Sequence, residues 1–205
     1  GGPYRSVSSA SAAARSWASR RPVICSGSIE WARLPSGDGV IRFRDFRDRE
    51  GSDFPTFQKA LAALGDAHGI IFDLRGNRGG YGAMPRLIAA DLARLRAKTP
   101  VVALIDETTQ SAAELFASYL ARDGVPLIGS TTGGLLGGRS EDLDLPCGLR
   151  LRLEHGEVLG PDGAPIEGRG LRPTASVAAT SRDLAAGIDH PLESAVALLS
   201  DKTTR

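Results

Sequence analysis

The chain has 205 residues, 41% of them hydrophobic, which is enough for one domain with a buried core. Its 25 Lys and Arg residues nearly balance its 24 Asp and Glu residues, so charge gives no reason to expect nucleic acid or an anionic membrane as a partner. Only 5% of the residues are aromatic, which argues against a base-stacking surface. No apolar stretch approaches the roughly 20 residues that span a bilayer, so membrane insertion is not expected.

The beginning of the chain is rich in Ser, Ala and Arg and has no apolar stretch typical of a signal peptide. Residues 1–28 are interpreted as a linker or as the tail of a missing N-terminal segment. A core domain is predicted over residues 29–200, followed by a flexible C-terminus over residues 201–205. The two cysteines, Cys25 and Cys147, are far apart in sequence, and whether they pair is left open.

Two short β-type runs come first and are separated by the turn-prone sequence PSGDG at residues 35–39. A helix is predicted to follow, because Asp53 can cap it and Pro55 suits its first turn. Apolar residues then recur at helical spacing, which supports the same prediction.

From residue 69 onward, buried strands alternate with loops and helices. Three apolar runs, IIFDL at 70–74, VVALI at 101–105 and PLIG at 126–129, predict adjacent parallel strands of one sheet. Helices are predicted to begin near Ala83 and Ser111. This alternation indicates an α/β fold whose mainly parallel sheet is flanked by helices, with functional loops at the carboxyl ends of the strands.

The last third of the chain predicts a small β-hairpin and a closing helix. The hairpin is placed over residues 149–163 and is expected to turn near His155 and Gly156. The closing helix is expected to be capped by Asp189 or His190.

Ser111 is the first candidate for catalysis. It lies between a buried strand and a helix, so its hydroxyl is expected at the helix N-terminus, where free N–H groups favour negative charge. The N–H of the next residue, Ala112, is placed to hold the oxyanion formed in acyl transfer. The sequence from Ser111 to Glu114 is also a capping box, which explains both end residues without catalysis. The two interpretations put Ser111 in the same place and do not exclude each other.

A glycine-rich loop and a later glutamate are the other candidates. The adjacent Gly79 and Gly80 allow close approach of the backbone, which suits a second oxyanion donor, although a plain turn explains them too. The loop matches neither GxxxxGK[ST] nor GxGxxG, so it gives little support for phosphate or dinucleotide binding. The Glu167 carboxylate is suited to orient a catalytic base, and a solvated loop glutamate is the alternative.

Five segments, in this order, resemble the tail-specific (C-terminal processing) serine peptidases, family forty-one. Residues 37–46 (GDGVIRFRDF) resemble the family's early strand. Residues 69–80 (GIIFDLRGNRGG) resemble the family's DLRxNxGG segment, and residues 100–134 resemble its nucleophile segment. Residues 165–177 resemble its G-V-x-P-D stretch, with Thr174 where Asp is usual, and residues 180–199 resemble its closing helix. The resemblance covers most of the chain.

The resemblance implies a ClpP/crotonase-like core domain with Ser111 as the nucleophile. It also implies an oxyanion hole formed by the backbone of Ala112 and of Gly79 or Gly80. The resemblance favours a bacterial periplasmic or secreted location. Neither a metal ion nor an organic cofactor is needed for this chemistry, and three scattered histidines make a poor case for a metal site.

The general base is where the sequence departs from the family. Leu135 stands where the bacterial branch has its catalytic lysine, so the chain is more similar to the branch of tricorn protease and the interphotoreceptor retinoid-binding protein. In tricorn-like members a histidine from an N-terminal segment is the base, and Glu167 matches the glutamate that supports it. The sequence has no such segment, and none of His68, His155 and His190 is expected to replace that histidine. The base is therefore expected from a missing N-terminal segment or from another subunit, unless the chain is a non-catalytic homologue.

Two functions fit these observations. The first is a serine endopeptidase core that cleaves unstructured polypeptides through an acyl-enzyme and is inactive alone if its base is missing. The second is a non-catalytic module that binds a peptide or an apolar ligand on the same fold.

Overall fold

The computed structural model describes residues 24–48, 53–135 and 139–203, so most of the predicted N-terminal linker lies outside the described residues. The strands are β1 Ile24–Ser26, β2 Ile29–Arg33, β3 Gly39–Phe43, β4 Ile70–Asp73, β5 Val101–Ile105, β6 Leu127–Gly129, β7 Arg139–Asp144, β8 Arg150–His155 and β9 Ala175–Ser176. The helices are α1 Asp53–Ala63, α2 Ala83–Arg96, α3 Ala112–Arg122, α4 Ser181–Ala185 and α5 His190–Thr203.

Seven strands form one sheet in the order β1-β2-β3-β4-β5-β6-β9, and β7 and β8 form a separate hairpin. The first two pairings of the sheet are antiparallel and the remaining four are parallel. The three apolar runs predicted to be neighbouring parallel strands are β4, β5 and β6, with Phe72 opposite Ala103 and Leu104 opposite Ile128. The α/β class with a mainly parallel sheet and a small hairpin is therefore confirmed.

Hydrophobic residues cover both faces of this sheet. One face packs against α1, α2 and α3 in a single hydrophobic cluster. Phenylalanine rings from the sheet side, α1 and α3 meet in this cluster, with centroids 5.5 to 6.1 Å apart. These rings belong to Phe43, Phe46, Phe57, Phe72 and Phe116. The other face packs against Ala195 and Leu199 of α5. Burial on both faces explains why the central strands are continuous apolar runs in the sequence.

The element boundaries differ slightly from those predicted. Strand β1 pairs with β2 and adds an edge to the sheet before residue 29, where the core was predicted to begin. Helix α5 continues to Thr203, into the segment predicted to be flexible. At its start the N–H of Leu192 donates to Asp189 Oδ1 at 3.2 Å, so Asp189 is the cap that the sequence had left open. None of the described helices is long and apolar enough to cross a membrane.

The small hairpin consists of β7 and β8, and its turn lies between these two strands. The predicted turn at His155 and Gly156 is therefore wrong. The chain turns through a short 3₁₀ segment, Pro146–Gly148, in which Cys147 and Gly148 have positive φ angles of 66° and 73°. His155 is instead the last residue of β8. The acidic stretch of β7 looks like a loop in the sequence, but it is paired along its length with the arginine-bearing strand β8. The Cys147 thiol is free and exposed at this turn.

Candidate active site

Three loops meet at the carboxyl ends of β4, β5 and β6. The Gln110 N–H, just before the predicted nucleophile, donates to the Asn77 carbonyl in the glycine loop at 2.9 Å. The Gly133 N–H, in the loop after β6, donates to the Thr109 carbonyl at 3.0 Å. These backbone bonds join the three loops into one layer, as expected for the functional edge of a parallel sheet.

Ser111 lies at the centre of this layer, directly before α3. Its φ and ψ angles are 55° and −123°, although a non-glycine residue rarely adopts a positive φ. The side chain is half-buried. Ser111 and Glu114 also form the capping box predicted from the sequence, which does not exclude catalysis. A strained turn from strand to helix is how α/β hydrolases expose a nucleophilic hydroxyl.

Glu114 binds more groups around Ser111 than the sequence indicated. Its carboxylate is fully buried and accepts the Ser111 N–H at 3.0 Å, which is the predicted half of the capping box. It also accepts the Thr132 hydroxyl at 2.6 Å and the N–H groups of Gly134 and Leu135 at 2.7 and 3.0 Å. One carboxylate thus ties the start of α3 to the loop after β6. No local sequence pattern reveals the last three donors.

The glycine loop is held against Ser111 by a buried asparagine. Asn77 donates from Nδ2 to the Phe43 carbonyl at 3.0 Å, and its Oδ1 accepts the Gly79 N–H at 2.8 Å. A Cβ atom added to Gly79, whose φ is 89°, would lie only 2.6 Å from the Ser111 Cβ. Glycine is therefore required here both for the backbone angle and for the contact with Ser111.

Two backbone N–H groups beside Ser111 have no hydrogen-bond partner among the described residues, those of Gly80 and Ala112. Phe46 pairs with the chain around Gly80 by donating to the Gly79 carbonyl and accepting the Tyr81 N–H. In a parallel bridge of this kind, the groups of Gly80 itself point to the opposite side. Because the Gly79 N–H is already bonded, Gly80 is the better of the two glycines that the sequence had proposed as oxyanion donors.

Glu167 lies near this layer but is not joined to it through its side chain. The loop that carries it is fixed by the Gly168 N–H, which donates to the Gly134 carbonyl at 2.8 Å. The Glu167 carboxylate is exposed and makes no hydrogen bond or ion pair with the part of the chain that the structure describes. Its predicted role, orienting a base, remains a prediction.

The histidines lie away from the Ser111 hydroxyl or have other partners. His68 is exposed at the amino end of β4, with Nδ1 3.0 Å from a backbone carbonyl, whereas Ser111 follows the carboxyl end of the parallel strand β5. His155 ends β8 with Nε2 3.9 Å from Glu141. His190 is the first residue of α5. Within the described ranges no side chain is hydrogen-bonded to the Ser111 hydroxyl, and no group of His, Cys, Asp and Glu is placed to hold a metal ion.

A buried ion network fastens the glycine loop from behind. The Arg75 guanidinium donates to Asp73 Oδ1 at 2.9 Å and to Asp189 Oδ1 at 2.8 Å, and each of the three side chains is at most 4% exposed. Burial alone would raise the pKa of Asp73, but the charge and hydrogen bonds of Arg75 lower it below its ordinary value. The network links the end of β4 to the cap of α5.

The comparisons with known proteins agree with this geometry. Residues 83–177 match the profile of Peptidase family S41. A peptidase from Parabacteroides merdae is similar in structure, with a TM-score of 0.72 and 23% identity over 88% of this chain and 67% of that chain. The photosystem II D1 C-terminal processing protease gives a TM-score of 0.63 and 18% identity over 76% of this chain. The family model covers just under half of the chain, so residues 83–177 are similar to peptidase family S41, and the solved structures are similar to this chain in fold.

The tricorn protease is also similar in structure to this chain, with a TM-score of 0.65 and 20% identity over 82% of this chain. These structures share the fold of this chain. The chain spans only 49% of the length of the D1 processing protease and 18% of that of the tricorn protease. No curated protein matches the sequence significantly.

Proposed function

We propose that this chain is the core of a serine endopeptidase of the S41 type, which cleaves unstructured polypeptides through an acyl-enzyme on Ser111. The observation that carries the proposal is that two unpartnered N–H groups, those of Gly80 and Ala112, flank a strained and half-buried serine. Such donors stabilise the oxyanion that forms when a hydroxyl attacks a carbonyl carbon. The name of the D1 processing protease supports, as a narrower proposal, cleavage at C-terminal regions.

In the proposed reaction, Ser111 Oγ attacks the scissile carbonyl carbon while a base takes the hydroxyl proton. The tetrahedral intermediate collapses, the same proton passes to the leaving amine, and an ester on Ser111 remains. Water then attacks the ester and returns the free serine and a new carboxyl terminus. A base from an N-terminal segment or from another subunit is part of this proposal, and Glu167 is proposed to orient it.

Labelling by a fluorophosphonate, together with hydrolysis of an unstructured peptide, tests the proposal. Without a base, a serine hydroxyl keeps its high pKa, so residues 1–205 alone should label weakly and cleave little. Adding the segment encoded upstream of residue 1 should raise both signals, and Ser111→Ala should abolish them. Ser118→Ala is the matched control, because this buried serine of α3 only donates to the Leu115 carbonyl and its loss should leave labelling intact. Strong hydrolysis by residues 1–205 that is lost on replacing one of the three histidines would contradict the proposed source of the base.

A non-catalytic binding module is the second candidate. It is favoured by Leu135, which is 55% exposed at the position where the bacterial branch has its lysine. If the longer chain binds peptide but labels no better than its Ser111→Ala variant, the binding module is the correct function.

A further inference from the structure

Thr132 lies in the loop after β6, and its buried hydroxyl joins two segments that are far apart in the sequence. The hydroxyl accepts the Leu171 N–H at 2.7 Å and donates to Glu114 Oε1 at 2.6 Å. An N–H group can only donate, so the single hydroxyl proton is left for Glu114. The other oxygen of that carboxylate accepts the Ser111 N–H at 3.0 Å. A continuous chain of hydrogen bonds therefore runs from Leu171 to the proposed nucleophile.

Leu171 directly follows the turn that carries Glu167. The N–H groups of Arg169 and Gly170 both donate to the Ile166 carbonyl, at 3.0 and 2.8 Å, and close this turn. The residues on either side of it, Ile166 and Leu171, are buried, whereas the Glu167 side chain is exposed. Because both ends of the turn are fixed in the core, a shift of Leu171 would also move the backbone of Glu167.

The two segments are packed too closely for another group to replace the hydroxyl. A Cβ atom added to Gly170 would lie only 2.2 Å from the Thr132 carbonyl oxygen. The Thr132 N–H already donates to the Leu171 carbonyl at 3.1 Å. The buried Leu171 N–H has no hydrogen-bond partner besides the hydroxyl among the described residues. Loss of the hydroxyl would therefore leave this N–H unpaired and would remove one of the donors to Glu114.

The backbone of Gly134 makes a second connection between the same segments. Its N–H donates to Glu114 Oε1 at 2.7 Å, and its carbonyl accepts the Gly168 N–H at 2.8 Å. This connection does not use the Thr132 side chain. It should keep the two loops together when the hydroxyl is removed, so a substitution at Thr132 tests their coupling without unfolding the region.

We propose that Thr132 is a positioning residue, whose hydroxyl couples the turn that carries Glu167 to the start of α3 at Ser111. A base oriented by Glu167 must come within hydrogen-bond reach of the Ser111 hydroxyl, so catalysis needs a fixed separation between these two residues. The chain of bonds through Thr132 and Glu114 sets that separation. The inference rests on the proposed function, because the separation matters only if Ser111 reacts with the help of that base.

Thr132→Val tests the coupling, because valine has nearly the shape of threonine but no hydroxyl. In the active form of the enzyme, kcat for an unstructured peptide should fall about tenfold with little change in KM, since a misplaced base slows the chemical step. Thr132→Ser keeps the hydroxyl and should stay within about threefold of the wild type. Thr131→Val is the matched control and should leave kcat unchanged, because the hydroxyl of this exposed threonine makes no hydrogen bond with the described residues.

A double-mutant cycle with Glu167→Gln shows whether Thr132 acts through the turn that carries Glu167. If it does, Thr132→Val should lower kcat by less than about threefold in the Glu167→Gln background, because the two substitutions disturb the same step. The same tenfold loss in both backgrounds would overturn the inference. A Thr132→Ser variant as slow as Thr132→Val would also overturn it, because the hydroxyl would then not be the group that matters.

Hydrogen exchange on residues 1–205 gives a measurement that does not depend on catalysis. Thr132→Val should increase deuterium uptake in both segments, residues 111–115 and residues 166–171, whereas Thr132→Ser and Thr131→Val should not. Increased uptake in only one segment would show that the hydroxyl stabilises that segment without coupling it to the other, and would overturn the inference. If both segments respond but no form of the protein labels at Ser111, the proposed chemistry fails and the coupling stands.

Discussion

Two arginine–aspartate pairs in this protein have almost the same geometry and opposite surroundings. Arg75 donates to both oxygens of Asp73 at 2.9 Å, and Arg152 donates to both oxygens of Asp142 at 2.7 and 2.9 Å. The side chains of the first pair are 4% and 1% exposed, and those of the second are 65% and 35% exposed. Equal bond lengths therefore say little about what each pair contributes, because solvent screens only the second pair.

The same contrast separates the two regions that contain these pairs. Behind the active-site loops, polar side chains such as Asn77, Arg75 and Glu114 are buried and bonded to several partners. In the hairpin, charged side chains are exposed, and Arg150 and Arg152 pair with aspartates across the two strands. A buried polar network has one arrangement of low energy and holds a reacting group still. Exposed ion pairs are screened by solvent and constrain their surroundings less.

Replacing each arginine is the most direct test of the contrast between the buried pair and the exposed pair. Arg75→Met leaves Asp73 and Asp189 buried without their cation, so we expect it to lower the free energy of unfolding by about 3–5 kcal/mol. Arg152→Met has the same change of side chain on the hairpin, and we expect no loss that urea denaturation resolves. Urea unfolding of both variants, followed by circular dichroism, measures the difference. Equal losses would show that burial does not separate the two pairs.

Glu114→Gln tests whether a buried carboxylate holds the loops of the active-site region together. The amide keeps the shape of Glu114 but sets an NH₂ group against donors such as the Gly134 N–H, so at least one bond is lost in a buried place. We expect a loss of about 2–3 kcal/mol in urea unfolding and less serine labelling in the active form of the enzyme. Glu107→Gln is the control, since the exposed Glu107 accepts only the Ser130 hydroxyl. A Glu114→Gln variant as stable as this control would mean that the clamp does not hold the loops.

The parts of the fold that follow from short-range patterns could be predicted from the sequence. Strands β4 to β6 are continuous apolar runs, and the residues between them place Ser111 at a turn from strand to helix. The turn of the hairpin could not be predicted, because β7 is as acidic as a loop and is recognised only through its cross-strand partner. Gly156 also has a positive φ, of 80°, so it was a reasonable but wrong place for the turn.

Only those features of the site that depend on residues close together in the sequence could be predicted. Ser111, the glycine pair and the first half of the capping box are local features. The bonds of Glu114 to Thr132 and the bond of Arg75 to Asp189 join residues far apart in the chain, which no short motif records. The choice of Gly80 over Gly79 depends on which N–H Asn77 binds, and that requires coordinates.

The smallest expected effect is a difference in how salt changes the pKa values of Asp73 and Asp142. Hydrogen bonds from Arg152 lower the pKa of Asp142, and Arg75 lowers that of Asp73 despite the opposing effect of burial. A lowered pKa means that each carboxylate adds stability above its unfolded pKa of about 4, which is lost as the pH falls through its folded pKa. At about 1 M NaCl the screening length shrinks to about 3 Å, so the exposed pair is weakened and the buried one is not.

Carboxyl-carbon NMR titrations at low and high salt therefore test whether burial protects the Asp73 pair. We expect the pKa of Asp142 to rise toward its ordinary value at high salt, while the pKa of Asp73 stays lowered. Arg152→Met should raise the pKa of Asp142 at low salt and remove its salt dependence, which provides the internal control. Equal changes in the pKa values of both aspartates would mean that salt screens the Arg75 network as well. Burial would then not protect the Asp73 pair, and the contrast between the active-site region and the hairpin would be wrong.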